Sequence, residues 1–338
     1  MELYEYARPQ LMAGKKILYI HGFASSGTNG TVKTLRLLLP QAEVIAPDLP
    51  VEPEEALQLL RSIVDASAPD LVIGTSMGGM YAELLHGIDR ILVNPAFQLA
   101  DTLLKNNGLG RQTFHNPRAD GQKDFLVTKG LLESFREVSS HCFEAVDEDE
   151  KKRVFALFGV HDTLVHTRDL TREHYPQCIP FDGEHYLNDG ALLHSVLPVI
   201  QWIDDRQNGV SRPSVIIAYD DVLRFLHNGE MVGAASKAVQ FLAARFDLHF
   251  VICGAADAWD EMLAKRKWVE DFIGVPSWNR FSLTTHKELL MGDYLIDRHP
   301  DECGGNDFMG TLIEFGSDTF KDWNDVMVFF ARICGESI

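Results

Sequence analysis

Short apolar runs alternate along the chain with longer amphipathic stretches. Lys16-Ile17-Leu18-Tyr19-Ile20 is the first run, and its length and the nearby glycine read as a buried strand. Ala42–Ala46, Asp70–Thr75 and Arg90–Pro95 repeat it, with helical patterns over Thr31–Leu39 and Glu54–Asp65 between them. Such alternation predicts a parallel sheet covered by helices on both faces. The rhythm breaks over Gln98–Glu150, which is polar and reads as helical or irregular, an insertion after a central strand that is either lid-like or a plain surface excursion. Strands resume at Arg153–Gly159 and Cys178–Phe181, and Leu192–Asp204 reads as a closing helix.

The polar stretch from Arg206 to Pro213 ends in proline and predicts a linker. A second alternation then begins. Its expected strands are Ser214–Tyr219, Leu248–Cys253, Phe281–Thr284, Tyr294–Ile296 and Gly310–Phe315, and its helices Ala234–Phe246, Trp259–Ile273 and Trp323–Cys334. The fold class is therefore α/β, with two parallel-sheet, three-layer domains. The expected boundaries are 1–205 with the insertion at about 98–150, a linker at 206–213, and 214–338.

Composition narrows the functional classes. The formal net charge of −18 over 338 residues argues against nucleic-acid binding, because phosphate contacts need a basic face. Five scattered cysteines without a C-x-x-C suggest neither a disulfide framework nor a zinc site. Met1–Glu5 has no basic or apolar leader pattern, and no apolar run is long enough to span a bilayer. No membrane association and a cytoplasmic location are the expectations.

The candidate chemistry centres on Gly74-Thr75-Ser76-Met77-Gly78-Gly79. This is G-x-S-x-G between an apolar strand and a helical stretch, the setting of a nucleophile elbow. An activated serine needs a base and a carboxylate to orient that base. In a parallel sheet such groups collect where strands end. Asp162 follows one strand and His185 the last, so Ser76, Asp162 and His185 are the candidate catalytic set. Asp169 and Asp182 are rivals for the acid, and His161, His166 and His174 for the base. The backbone N–H groups of Phe23 and Met77 are the candidate oxyanion donors.

In order, His21-Gly22-Phe23, the Ser76 motif, Gly159-Val160-His161-Asp162 and Gly183-Glu184-His185 resemble the small bacterial α/β-hydrolases of the esterase and thioesterase kind. The resemblance covers residues 15–205. It implies hydrolysis of a small carboxylic ester or thioester through an acyl-serine, without a cofactor.

Residues 214–335 resemble the haloacid dehalogenase superfamily, and within it the cytosolic 5′(3′)-deoxyribonucleotidases. Ala258-Trp259, Lys265-Arg266-Lys267-Trp268-Val269 and Gly292–Asp297 carry the likeness. The resemblance implies a D-x-D-G-V-L first strand, a phosphate-facing Ser or Thr, a lysine and paired acids that hold magnesium. Aligning Val222-Leu223 puts Ala218 at the nucleophile, keeps Asp220 as acid/base, and puts Asp221 in place of glycine. A shifted register makes Asp220 the nucleophile and leaves Val222 at the acid position. Cys253 or Gly254 takes the Ser/Thr position. Lys287 and Asp297 are kept, and Arg298 replaces the second acid. The stretch after Asp220 is too short for a cap.

An alanine cannot form a phosphoenzyme, so this half reads as a pseudo-phosphatase that regulates, shapes or dimerises the first. Arg298 is expected either to neutralise Asp297 and Asp220 or to turn to solvent. An anion or nucleotide ligand, held by Lys287 and Arg298, and a homodimer both stay open. Magnesium is expected only in the alternative reading, a bifunctional esterase and nucleotide phosphatase. A third reading is a scaffold with both sites vestigial.

Overall fold

The computed structural model describes residues 6–106, 108–254, 257–273, 275 and 280–336. Met1–Glu5, where the sequence shows no leader pattern, lie outside them. The chain divides into two compact units, Met1–Asp204 and Asp205–Ile338.

The first unit holds β1 (Lys16–Ile20), α1 (Gly30–Leu38), β2 (Glu43–Ile45), α2 (Pro53–Ser67), β3 (Leu71–Thr75), α3 (Met77–Glu83) and β4 (Asp89–Val93). The insertion follows, as α4 (Leu99–Asn106), β5 (Gly110–Thr113), β6 (Asp124–Val127), α5 (Lys129–Ser140) and α6 (Glu148–Arg153). Then come β7 (Val154–Gly159), α7 (Arg168–His174), β8 (Cys178–Phe181) and α8 (Asp189–Ala191). A π-helical turn (Leu192–Val196) joins α8 to α9 (Leu197–Asn208). The six-stranded sheet has the order β2-β1-β3-β4-β7-β8, and every pair is parallel.

Alternate strand residues point to opposite faces, and here both faces are buried. Leu18, Ile20, Val72, Leu92 and Ala156 pack with Leu57 and Leu60 of α2 and Met80 of α3. Ile17, Tyr19, Ile73, Val93 and Leu157 pack with Leu35 of α1 and Ile200 of α9. That double burial is why the strands read as continuous apolar runs.

Within the insertion, β5 and β6 form an antiparallel hairpin where helix or irregular chain was expected. The insertion is tied to the loop after β1. The His115 N–H donates to Ala24 O at 2.7 Å, and Thr28 Oγ1 donates to Pro117 O at 2.8 Å. Asp48 accepts from the Gly27 N–H at 2.8 Å and from the Ala119 N–H at 2.6 Å, joining both segments through one side chain. Phe23 sets its ring edge-on to Phe125 and Phe135. Beneath α3, the buried Arg90 is ion-paired with Glu150.

The second unit contains β9 (Ser214–Ala218), α10 (Ala235–Ala243), β10 (Asp247–Cys253), α11 (Trp259–Phe272), β11 (Phe281–Thr284), β12 (Tyr294–Asp297), β13 (Thr311–Glu314) and α12 (Trp323–Ile333). Its sheet is also wholly parallel, in the order β11-β10-β9-β12-β13. Trp323 is fully buried and donates its indole N–H to Val222 O at 2.8 Å, satisfying the one polar atom of its ring.

Two further sequence expectations need correction. Arg206–Asn208 of the expected linker belong to α9, and Gly209, with φ 62°, turns the chain out of that helix. Cys253 and Cys303 form a disulfide across 50 residues. The cysteine spacing gave no sign of it, because the pair is joined by the fold and not by a local motif.

Candidate active site

β3 runs straight into α3, and the turn between them leaves Ser76 with φ 54° and ψ −116°. A positive φ is rare for a residue with a side chain, and the surroundings must hold it. They do so from β4 and the turn after it. The Ser76 N–H donates to Val93 O at 2.9 Å, and Ser76 O accepts the Ala96 N–H at 3.0 Å. Gly78 lets α3 approach β1, since a Cβ there would overlap Ile20 O.

Two further strand ends converge on this serine. His185, after β8, places Nε2 2.9 Å from Ser76 Oγ and Nδ1 2.8 Å from Asp162 Oδ2. A carboxylate can only accept, so Nδ1 carries the proton and Nε2 accepts from the serine hydroxyl. Asp162, after β7, is held by its other oxygen, which accepts the Leu164 N–H at 2.7 Å and the Val165 N–H at 3.0 Å. Burial pushes its carboxyl up. The hydrogen bonds from His185, Val165 and Leu164 outweigh that and keep it below the usual carboxylate range.

The rivals lie elsewhere. His161 bonds Asp182 at 3.1 Å on the surface. His174 stacks on Phe143 at 4.3 Å. Asp169 and His166 are exposed.

Among the described residues, the N–H groups of Phe23 and Met77 have no hydrogen-bond acceptor. The loop that carries Phe23 is positioned by His21. This ring is buried, accepts the Leu49 N–H at Nε2 (3.2 Å) and donates from Nδ1 to Gly22 O (2.8 Å). Burial lowers its pKa, so it stays a neutral imidazole matched to those two partners. Gly22 lies against the serine, with room for a Cβ only 3.4 Å from Ser76 Cβ.

A cavity of about 530 Å³ opens in front of Ser76 and His185. Phe23, Ala96, Leu99, Leu103 and Val165 give it an apolar wall, two of them from α4 of the insertion. Among the described residues, no lysine or arginine lines it. Asn94, which no sequence motif marks, bonds the backbone on either side of this site.

At the strand ends of the second unit the charges are joined to one another. Ala218 ends β9. Asp220 is ion-paired with Lys265 at 2.9 Å, and Lys265 also reaches Glu261 at 3.0 Å. Burial raises the Asp220 carboxyl, against the pull of Lys265. Lys287 Nζ donates to Asp297 Oδ2 at 2.6 Å, with both side chains buried, and Asp297 Oδ1 accepts the His299 N–H at 3.1 Å. His299 also bonds Asp221 at 2.8 Å.

Arg298 pairs with neither Asp297 nor Asp220. Its side chain is exposed and lies over Gly316, so lysines rather than this arginine neutralise the two acids. The Lys265 and His299 pairings escaped the sequence reading. The Lys265 segment served there only as a family signature. These residues do not fit a magnesium ion. Ala218 offers no oxygen from its side chain, and both oxygens of Asp297 are engaged within the chain.

The model of the uncharacterised protein family UPF0227 matches residues 16–192. Solved structures similar to the chain include the esterase Est1E from Butyrivibrio proteoclasticus, at 15% identity and TM-score 0.41, covering 60% of this chain and 90% of that one. The thioesterase domain from the curacin biosynthetic pathway matches at 16% identity and TM-score 0.37, covering 59% and 92%. A protein of Vibrio phage KVP40, provisionally named a 5′(3′)-deoxyribonucleotidase, is 36% identical over 105 residues. That match takes in 31% of this chain and spans 61% of the phage protein's length.

Proposed function

The chain belongs to the UPF0227 family, and from the site within the matched segment we propose a serine hydrolase that cleaves a small carboxylic ester or thioester. The supporting observation is the continuous hydrogen-bonded row from Asp162 through His185 to Ser76 Oγ. Ser76 Oγ attacks the substrate carbonyl while His185 Nε2 takes its proton. The carbonyl oxygen becomes an oxyanion and accepts the free N–H groups of Phe23 and Met77. Asp162 stabilises the imidazolium. As the tetrahedral intermediate collapses, His185 returns the proton to the departing alcohol or thiol. Water then attacks the acyl-serine with His185 again as base, releasing the acid and restoring the hydroxyl.

The second unit acts in this reading as a pseudo-phosphatase with a regulatory or structural role. Asp220 and Asp297 are neutralised by Lys265 and Lys287, and Ala218 has no nucleophilic atom.

Labelling with a fluorophosphonate tests the first half directly. The expected result is one stoichiometric adduct on Ser76, blocked by prior turnover-dependent acylation. Absence of any adduct on a folded protein overturns the assignment. A panel of acyl esters and acyl thioesters of graded chain length then separates the two substrate classes. The phage protein's name favours a second reading, a live nucleotide phosphatase beside the esterase. Phosphate release from a deoxynucleoside monophosphate that survives Ser76→Ala and stops in EDTA would establish it in place of the pseudo-phosphatase.

A further inference from the structure

We propose that Asn94 is a positioning residue whose carboxamide holds His185 in line with Ser76 and thereby sets the acylation rate. The inference rests on the serine-hydrolase reading above. Asn94 follows β4 directly, with φ 45° and 1% of its surface exposed. Asparagine tolerates this left-handed region better than most residues. Its N–H donates to Leu157 O at 2.8 Å, fixing the turn against β7.

The side chain then spans two loops. Oδ1 accepts the Gly159 N–H at 2.8 Å. Nδ2 donates to Glu184 O at 3.0 Å and to His185 O at 3.1 Å. Two carbonyls require a donor and an N–H requires an acceptor, so only one orientation of the amide serves. Gly159 ends the strand that leads to Asp162, and His185 is the base. Asn94 thus ties the acid-bearing loop to the base-bearing loop. The same turn fixes the nucleophile through Val93 O and the Ala96 N–H. All three segments that carry the site are therefore referenced to residues 93–96.

The loops would stay together without the carboxamide. The His161 N–H donates to Gly183 O, and the Val160 N–H to Phe181 O, each at 3.0 Å. What Asn94 adds is a bond to the carbonyl of His185 itself. A misplacement of about 1 Å in a reacting group can cost roughly 100-fold in rate. Aspartate at this position would keep the bond from Gly159 but face two carbonyls with a carboxylate. Glycine removes the side chain while suiting the positive φ.

The test compares wild type, Ser76→Ala, Asn94→Gly and Asn94→Asp as full-length chains on a p-nitrophenyl ester. In Asn94→Gly we expect kcat to fall about 30- to 100-fold with KM within about threefold, and fluorophosphonate labelling to slow in proportion. The downfield proton resonance of the His185–Asp162 hydrogen bond, present in wild type and in Ser76→Ala, should shift or broaden away in Asn94→Gly. Circular dichroism melting checks that the variant is folded, and Asn94→Asp carries the test if Asn94→Gly is not. A folded variant with kcat within threefold of wild type overturns the proposal. So does a loss of rate with the downfield proton unchanged, which marks a merely structural role. Wild-type turnover in Ser76→Ala would instead refute the hydrolase reading beneath it.

Discussion

The two units use one architecture to opposite ends. Each is a parallel sheet whose polar residues gather where its strands finish. In the first unit those residues form an open row. Asp162 bonds His185, His185 bonds Ser76, and the serine hydroxyl ends the row at a cavity. In the second unit the corresponding acids are each met by a lysine, Asp297 by Lys287 in a closed pair and Asp220 by Lys265, which Glu261 shares. A row that ends on a hydroxyl at a cavity can draw that proton back along itself as the oxygen bonds a substrate. A pair in which each charge answers the other has already used its electrostatic capacity. One sheet architecture thus carries two different arrangements of polar groups at its strand ends, and it is on their connectivity, not on the fold, that the proposed difference in activity rests.

The comparison breaks most sharply at Ser76. Replacing Ser76 by Ala should remove the end of the row and cut ester hydrolysis on the order of thousands-fold or more, with the fold intact. Steady-state kinetics on the purified variant provide the measurement, and wild-type turnover would sink the first half of the contrast. Replacing Asp162 by Asn leaves the shape but removes the charge behind His185. We expect a loss of roughly ten-thousandfold in kcat. Asp169→Asn and Asp182→Asn should stay close to wild type, and a large loss in either would name a different acid.

In the second unit the informative change is Lys287→Met, which strands a buried Asp297. Breaking such a pair costs about 3 kcal/mol or more, and urea unfolding of the unit should report it. The double change Lys287→Met with Asp297→Leu should recover much of that loss. If the single change is silent, the pair is not the closed contact described above.

The smallest effect concerns acid. Burial pushes the Asp247 carboxyl up, but hydrogen bonds from His249 and Arg280 bring it down to about 2. The unfolded value is about 3.9, so the group adds stability above that pH, and the addition is lost as pH falls from about 4 toward 2. Asp247→Asn should therefore flatten the acid unfolding of the second unit in that window. An unchanged acid transition would show that these contacts do not form in solution.

The strands were readable because double burial turns them into apolar runs, as in Leu71-Val72-Ile73. The β5 strand was not, because Gly110-Arg111-Gln112-Thr113 is polar and alternates between half-buried and exposed. Its pairing comes from β6, not from its own sequence. Ser76 is marked by glycines on both sides, since its turn demands them. Asp162 and His185 are marked only by following strands, and the rivals beside them were separated by distance in the fold. Asn94 carries no mark at all. It is one polar residue after a strand, and its partners lie more than sixty positions away. The same holds for Lys265 and Asp220, joined across 45 positions.

The bridge between Cys253 and Cys303 has a topological consequence. It closes the backbone into a ring that runs through α11, β11 and β12 and contains Lys287 and Asp297. A protease that cuts the chain inside this ring does not divide the molecule. The two fragments travel as one mass until a thiol reductant opens the bridge, and only then separate on a denaturing gel. Nicked and whole protein are thus indistinguishable by size under oxidising conditions.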